Sequence, residues 1–264
     1  MDILGIGKLD RERITRLIRE TKHTISIDEA AAILSITKSH AAKLLSHWAK
    51  KGWMSRIKRG LYIHIPLESD TPDIQLEDPW IIAEKIYSPC YIAGWSAGAY
   101  WGLTEQIFRT IVVFTNQKPK NRVISIKGTN FLLHTISEKS LFGLKTIWRG
   151  QILVHISDPT RTILDFLANP TFGGGMRHSA DMLKEYIKSE HKNLDLLINY
   201  AKLLNNKAVF KRLGFLLEQY APKELAAINM CKEQITISKT KLDPEQRKNG
   251  KLITRWRLWV PENW

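Results

Sequence analysis

The chain has 264 residues, of which 44% are hydrophobic, and its 40 Lys and Arg residues against 26 Asp and Glu residues give a formal charge of +14. This length suits one large domain or two ordinary ones, and this hydrophobic content excludes a chain that is disordered throughout. The positive charge favours an acidic partner, with nucleic acid ahead of an acidic protein or anionic lipid.

Several classes of protein are disfavoured by the sequence. No run of about 20 apolar residues is present, so we expect no membrane span. An acidic residue at position 2 and the lack of an apolar core at the N-terminus argue against a signal peptide, which predicts a cytoplasmic protein. Cys90 and Cys231 lie far apart in the sequence, and no two histidines have i,i+4 spacing. We therefore expect two buried free thiols, no metal site and no cofactor.

The first part of the chain has the pattern of three helices. Residues 10–22 place apolar side chains at helical spacing. Ser26 and Glu29 have the spacing of a capping box, which predicts the start of a second helix. Thr37 is positioned to cap a third helix, and Gly52 is positioned to end it.

A strand pair is predicted directly after these helices. The segment from Trp53 to Ile65 alternates large apolar and polar side chains around the turn Lys58-Arg59-Gly60. Three helices followed by a hairpin make a winged helix-turn-helix domain, which we place at residues 1–67. From Ala30 to Leu67 there is no Asp or Glu residue. This composition favours DNA over the alternative partner of such a domain, another protein.

The third helix separates an apolar face from a polar face. At about 100° per residue, Leu45 and Trp48 fall on one face, and Lys43 falls on the other. We predict that the polar face enters the major groove of double-stranded DNA and that the hairpin reaches neighbouring phosphates. The expected DNA-binding residues are Lys38, Ser39, His40, Lys43, Ser46, His47, Lys50, Lys51, Arg56, Lys58 and Arg59.

The rest of the chain is predicted to be a second domain. Residues 68–78 are acidic and include Pro72, which is typical of a linker. Residues 79–264 begin with a helix, and Ser96 is positioned to cap another. Strands are then predicted at Ile107–Thr115, Arg122–Ile126, Asn130–Ile136, Leu144–Trp148 and Gln151–Ile156. Helices dominate from residue 158, and the chain closes with a strand pair at Gln234–Ser238 and Leu252–Val260. The predicted fold class is α+β: a winged helix followed by a larger mixed domain with a helical C-terminal half.

Three features of this second domain have a candidate function. Asp158 and Asp165 flank Arg161 on one helical face and could hold a metal ion, although a helix cap and an i,i+4 ion pair explain them better. The glycine-rich stretch Phe172–His178 could expose backbone N–H groups to a phosphate, but it matches no nucleotide-binding motif and reads better as a flexible connection. Lys207, Lys211 and Arg212 fall outside the apolar stripe of their helix and predict a second basic surface.

Four motifs together resemble the AbiEi antitoxin family of abortive-infection (type IV) toxin–antitoxin systems. They are RGLYIHIP, YIAGWSAGAYWGLTEQIFRTIVVFT, SDPTRTILDFLANPTFGGGM and NNKAVFKRLGFLLEQY. The resemblance implies a winged helix that binds the promoter of its own operon and represses transcription. It also implies a C-terminal domain that opposes a cognate nucleotidyltransferase toxin, without a stable complex between the two proteins. No catalytic residue is implied for the antitoxin.

Two other functions remain open from the sequence. One is a metal-dependent nuclease that the winged helix guides to DNA, with Asp158 and Asp165 as ligands. The other is a ligand-responsive transcriptional regulator whose second domain is the sensor. The first would cleave DNA in the presence of a divalent metal, and the second would change its DNA affinity with a small molecule.

Overall fold

The computed structural model describes residues 6–21, 24–64, 78–126, 128–150, 152–245 and 250–264. These residues form a mixed α+β structure, as predicted. We refer to residues 6–64 as the N-terminal unit and to residues 78–264 as the C-terminal unit. The predicted linker at 68–78 lies outside the described residues up to residue 77. Within the described parts of the chain, no helix is long and apolar enough to cross a membrane.

The N-terminal unit contains three helices and a three-stranded sheet. Its elements are α1 (Lys8–Glu20), β1 (Thr24–Ser26), α2 (Ile27–Leu34), α3 (Lys38–Lys50), β2 (Met54–Lys58) and β3 (Leu61–His64). The strand order is β1-β3-β2, and both pairings are antiparallel. A continuous apolar core joins the helices to the sheet, with Leu17, Leu45 and Trp48 fully buried within it.

Local sequence signals set the ends of these helices. The Ser26 hydroxyl accepts a hydrogen bond from the Glu29 backbone N–H at 3.1 Å, and the Glu29 carboxylate accepts from the Ser26 N–H at 2.9 Å. This reciprocal pair is the predicted capping box. Thr37 caps α3 through the His40 N–H, and Gly52 follows the helix with a φ of +79°. These predictions of helix boundaries are confirmed.

A six-stranded mixed sheet forms the centre of the C-terminal unit. Its strands are β4 (Cys90–Ile92), β5 (Thr110–Thr115), β6 (Val123–Ile126), β7 (Thr129–Thr135), β8 (Leu144–Arg149) and β9 (Ile152–Ser157). The order is β6-β7-β5-β4-β9-β8, with parallel pairing at β5–β7 and β4–β9. Ile92 pairs with Val113 on one side and with Ile156 on the other. β4 therefore joins the two halves of the sheet.

Helices cover this sheet and form a second core beside it. They are α4 (Pro79–Tyr87), α5 (Gly94–Tyr100), α6 (Pro159–Ala168), α7 (Met176–Lys188), α8 (Leu194–Leu204), α9 (Lys207–Tyr220) and α10 (Leu225–Glu233). α4 packs its apolar side chains against one face of the sheet. α6 is buried along its whole length among α7, α8 and α9. The helical C-terminal half is confirmed.

The closing segment of the chain differs from the prediction. Its strands are β10 (Thr240–Lys241), β11 (Lys251–Ile253) and β12 (Leu258–Val260), in the order β10-β12-β11. Residues 234–238 are not a strand, so the strand predicted at Gln234–Ser238 was wrong. The indole of Trp256 instead anchors this segment on α9, where Gly214 leaves room for it.

The predicted cap at Ser96 was wrong because the contact that decides it is distant in sequence. Ser96 lies inside α5 and does not cap it; its hydroxyl accepts a hydrogen bond from the Val112 backbone N–H at 3.1 Å. β5 and β6, although adjacent in the chain, are separated in the sheet by β7. A chain turn between two strands does not by itself pair them.

The two units contact each other through α2, β2, β3 and α4. Leu61 of β3 is 6% exposed and belongs to the apolar core that α4 forms with the sheet of the C-terminal unit. The Lys85 amine lies 3.5 Å from the Glu29 carboxylate, and the Lys58 amine lies 5.9 Å from the centroid of the Tyr87 ring. The N-terminal unit thus packs directly on α4.

Candidate nucleic-acid interface

α3 presents a polar face to solvent because its apolar face is committed to the core. Ala41, Leu45 and Trp48 are fully buried, whereas Lys43 and Lys50 are exposed on the opposite side. α2 packs against α3 and begins at the capping box of Ser26 and Glu29. A two-helix arrangement of this kind leaves the second helix free to approach a groove of DNA.

The structure places the eleven predicted DNA-binding residues on α3 and on the β2–β3 hairpin. All of them except Ser46 are exposed, and Ser46 is half-buried. His47 lies at the edge of the α3 face, with its ring 6.4 Å from that of Trp53. The predicted residues are thus accessible, but they form two groups, one on the helix and one on the hairpin.

Most of the cations on these two groups are available for a partner. Among the described residues, Lys43, Lys50, Lys51 and Arg59 form no salt bridge. Lys38 lies 3.0 Å from Asp28, but both side chains are largely exposed. An exposed pair of this kind contributes about 0–1 kcal/mol, so a phosphate can compete for Lys38.

The hairpin turn is tight, and its two basic residues have different surroundings. Gly60 has a φ of +81°, a conformation that glycine adopts at little cost. Its carbonyl accepts a hydrogen bond from the Ile27 N–H at 3.2 Å, which ties the turn to the start of α2. Lys58 lies over the Tyr87 ring, and Arg59 remains exposed without a described ion pair. Arg59 is therefore the cation at the tip of the turn.

Burial affects the charged groups at the contact between the units. The pKa of Lys58 is lowered because burial against α4 removes part of its hydration. For Glu29, partial burial alone would raise the pKa, but hydrogen bonds from Ser26 and the charge of Lys85 outweigh it, so the pKa is lowered. Glu29 is therefore held as the carboxylate that the capping box and Lys85 both require.

The predicted second basic surface is wrong. Lys211 is 0% exposed and Arg212 is 4% exposed, and Lys207 is half-buried with its amine on the Gln234 side chain. The Arg212 guanidinium donates to the carbonyls of Leu167, Ala168, Lys241 and Leu242. The Lys211 amine donates to the Ser238 carbonyl. Helical periodicity could not show this, because the groups that cover these cations come from the closing segment of the chain and the end of α6.

The carboxylates considered for metal binding are occupied by donors within the protein. Asp158 caps α6 through the Arg161 N–H at 2.7 Å and accepts from the Tyr200 hydroxyl at 3.1 Å. Asp165 accepts from the Arg161 guanidinium at 2.9 Å and from the Tyr91 hydroxyl at 3.2 Å. Arg161 and Asp165 are 1% and 2% exposed, so this ion pair is interior. The predicted cap and i,i+4 pair are confirmed.

Burial shapes the electrostatics of this cluster as well. It raises the pKa of Asp165, and the adjacent Arg161 opposes that shift only in part. It also raises the pKa of Asp158, against the hydrogen bonds that Asp158 accepts. Among the described residues, no group of three or more His, Cys, Asp and Glu side chains is placed to hold a metal ion.

The glycine-rich stretch is packed against the protein. A short 3₁₀ turn, Pro170–Gly173, leads into Gly174 and Gly175, which both have positive φ. A β-carbon on Gly173 would lie 2.4 Å from the Ser179 hydroxyl oxygen. Gly173 is thus required for close packing of the turn on α7, and the expectation of a flexible connection does not hold there.

Sequence reasoning missed an aromatic cavity in the C-terminal unit. It has a volume of about 330 Å³ and lies between α4, α5 and residues 104–111. The rings of Trp95 and Phe108 stack in its wall, with centroids 4.8 Å apart and an angle of 17°. The sequence signal that could have indicated it is the density of aromatic residues near positions 95–108. The partial exposure of Trp95 and Phe108 shows that they also face the cavity.

No protein-family model and no curated protein sequence matches this chain. Among solved structures, the chain is similar to the crystal structure of the RV2827C protein from Mycobacterium tuberculosis. The TM-score is 0.59 at 13% sequence identity, and the match covers 96% of this chain and 91% of the other. At this identity the likeness concerns the fold alone.

Proposed function

We propose that the N-terminal unit is a winged helix that binds double-stranded DNA, with α3 as its recognition helix and the β2–β3 hairpin as its wing. The observation that carries the proposal is the exposed face of α3. Lys43 and Lys50 project from it with no described ion pair, in a region whose sequence has no acidic residue from Ala30 to Leu67. A polyanion is the partner that such a surface fits.

The predicted DNA-binding residues of α3 and those of the β2–β3 hairpin are proposed to make different contacts. Ser39, Lys43 and Ser46 on α3 face the edges of bases in the major groove, which carry sequence information. Arg59 at the tip of the wing meets a phosphate, as does Arg56, and such contacts give affinity with little sequence preference. Lys58 contributes less, because its amine already lies against Tyr87.

The biological role is proposed to be that of a type IV antitoxin in the cytoplasm. The support is the resemblance to the AbiEi family in four motifs spread over both units. In this role the winged helix binds the promoter of its own operon and represses transcription. The C-terminal unit counteracts a cognate nucleotidyltransferase toxin, without needing a stable complex with it. The protein itself carries out no catalysis in this role.

Titrations of duplex DNA over a series of salt concentrations test the DNA-binding proposal. The duplexes are the promoter region of the protein's own operon and a scrambled sequence of the same length. Lys43→Ala is expected to cost about 1–3 kcal/mol on the promoter duplex and less on the scrambled one. The matched control is Lys202→Ala, which removes the same charge from an exposed helical position in the C-terminal unit.

The outcome separates the proposal from its alternatives. Equal affinity of wild type, Lys43→Ala and Lys202→Ala for the promoter duplex would exclude α3 as the recognition helix. Expression of the cognate toxin with and without the Lys43→Ala variant then tests the second role. We expect this variant to relieve repression and still to protect cells.

A ligand-responsive regulator is a second candidate function. The specific observation in its favour is the aromatic cavity, whose wall includes Trp80 of α4, the helix on which the N-terminal unit packs. In this case a ligand in the cavity would change the affinity of the protein for the promoter duplex. The same titrations, repeated with and without the ligand, would show the change.

A further inference from the structure

We propose that the aromatic cavity of the C-terminal unit binds an organic cation: an alkylammonium or guanidinium group attached to a small apolar body. The cavity volume of about 330 Å³ lies at the lower end of the range of ligand sites, about 300–1,000 Å³. This site is separate from the DNA interface, and the inference does not depend on the proposed function.

The walls of the cavity are aromatic and aliphatic. Trp80, Trp95 and Phe108 supply rings, while Ala99, Ile107 and Ile111 supply aliphatic surface. Ile107 is 95% exposed, so the loop that carries it borders an open mouth. The face of an aromatic ring carries partial negative charge and therefore attracts a cation that lies above it. Aromatic walls therefore favour a cation over an anion of the same shape.

The polar groups at the rim point to the same charge. Thr104, Glu105 and Gln106 line the cavity beside its aromatic walls. Glu105 is exposed and, among the described residues, has no salt-bridge partner. A carboxylate at the mouth attracts a cation and repels an anion. Gln106 also lines the cavity, and its amide oxygen is a neutral hydrogen-bond acceptor.

One of these rings, Trp80, is already engaged by the protein's own side chains. The Arg149 guanidinium carbon lies 4.6 Å from the centroid of the Trp80 ring. Arg149 is also paired with Asp78, and the ring of Tyr100 lies 5.6 Å from that of Trp80, which is only 8% exposed. Trp80 therefore closes the inner wall, and the partly exposed rings of Trp95 and Phe108 are the ones that a ligand can reach. Trp95 is fixed in place by a hydrogen bond from its indole N–H to the Thr110 carbonyl at 2.6 Å. The wall is therefore arranged before any ligand arrives.

Binding of a charged probe and its neutral isostere tests the proposal. Choline and 3,3-dimethylbutan-1-ol have the same shape and differ in charge. Each is titrated into the full chain labelled with ¹⁵N-tryptophan, and the indole signal of Trp95, assigned with a Trp95→Phe variant, is followed. We expect a saturable shift with choline, and binding at least about threefold weaker for the neutral alcohol. No shift at Trp95, or equal binding of the two probes, would overturn the proposal.

Two variants test the source of the selectivity. Glu105→Gln removes the charge at the rim, and Phe108→Leu removes a ring while keeping an apolar side chain. Both are expected to weaken choline binding several-fold and to leave the neutral alcohol unchanged. Glu190→Gln, an exposed acid on another surface, should change neither. Unchanged choline binding in both cavity variants would contradict the proposed site.

The cation could come from a free small molecule or from a basic side chain of a peptide. Agmatine represents the first source, and a capped Ala-Arg-Ala peptide represents the second. A peptide with citrulline in place of arginine keeps the shape and removes the charge. Tighter binding of one arginine-type probe identifies the source, and equal binding of the citrulline peptide would overturn the proposed preference for a cation.

Discussion

The amine of Lys58 lies 5.9 Å from the centroid of the Tyr87 ring, so a basic residue of the β2–β3 hairpin is held against the C-terminal unit. Its neighbour Arg59 is exposed at the tip. Two adjacent cations in one turn therefore have different environments. This difference leads to a direct prediction for DNA binding.

Arg59→Ala should weaken the affinity of the protein for the promoter duplex and for the scrambled duplex alike. The magnitude of the slope of log K against log salt should fall by roughly 1, because one phosphate contact is lost. Lys58→Ala should change the slope less, since its amine already has an aromatic partner in the free protein. The measurement is the salt dependence of affinity for both variants. Equal losses of slope would show that Lys58 leaves Tyr87 to contact a phosphate.

The purified protein should leave plasmid DNA intact in the presence of magnesium or manganese. The reason is that Asp158 and Asp165 already accept hydrogen bonds from Arg161, Tyr200 and Tyr91. Gel analysis of supercoiled plasmid measures this. Cleavage that disappears in Asp165→Asn but persists in the exposed control Asp195→Asn would establish the nuclease function instead.

Gly214→Ala should destabilise the fold although it replaces glycine within a helix. A β-carbon there would lie 2.1 Å from Cη2 of Trp256. Overpacking of this kind costs about 1–3 kcal/mol, which exceeds the gain in helix propensity of about 1 kcal/mol. Chemical denaturation measures the loss. In a Trp256→Leu background the same change should be neutral or stabilising, and an equal loss in both backgrounds would contradict the steric explanation.

Arg212→Met should lower the free energy of unfolding by about 3 kcal/mol, because several buried carbonyls lose their donor. Arg212→Lys should recover only part of this, since an ammonium group cannot reach carbonyls on both α6 and the closing segment. Burial lowers the pKa of Arg212 to about 10, so the side chain is charged at neutral pH. Lys202→Met, at an exposed helical site, is the control. Similar stabilities of Arg212→Met and wild type would contradict the proposed role of these hydrogen bonds.

The stability of the protein should decrease as the pH falls below about 6.5. Burial, with a further contribution from the charge of Arg122, lowers the pKa of His134. The folded state therefore binds this proton less strongly than the unfolded chain does. The contribution of His134 to stability is fully present above its unfolded pKa and is lost as the pH falls from that value through the lower folded pKa. Burial lowers the pKa of His64 in the same direction.

Replacing His134 by Phe tests this dependence. The new ring would lie beside Phe114 and Phe172, whose centroids are 4.7 and 4.9 Å from that of His134. We expect the drop in unfolding midpoint between about pH 7.5 and pH 5.5 to be smaller in the variant than in wild type. An unchanged or larger drop would show that His134 does not contribute.

The features that the sequence predicted well depend on neighbouring residues. Helix starts are marked by residues that cap the first turn of their own helix: Ser26 with Glu29, Thr37, and Asp158 before Pro159. Gly52 marks the end of α3. The burial of Leu45 and Trp48 follows from their spacing on α3. Such signals are local, so they can be recognised in the sequence without knowledge of the tertiary structure.

The features that the sequence could not predict depend on distant segments. Arg212 meets carbonyls about 30 and 45 positions away, and no periodicity within α9 indicates that the closing segment will cover it. Likewise, β7 lies between β5 and β6 in the sheet, and the turn that connects β5 to β6 in the sequence does not determine this pairing. The aromatic cavity escaped notice because a ring at a half-buried position has the same spacing as a ring in the core.

The short strand β4 has a consequence for the local stability of the sheet. Its pairing with β9 is limited to Ile92 and Ile156, whereas β8 and β9 pair along their whole lengths. The sheet thus consists of two well-paired groups of strands, β6-β7-β5-β4 and β9-β8, joined at one pair of residues. Separation of β4 from β9 breaks fewer backbone hydrogen bonds than separation of two strands within either group. Amide hydrogens of β9 that face β4 should therefore exchange with solvent sooner than those bonded to β8.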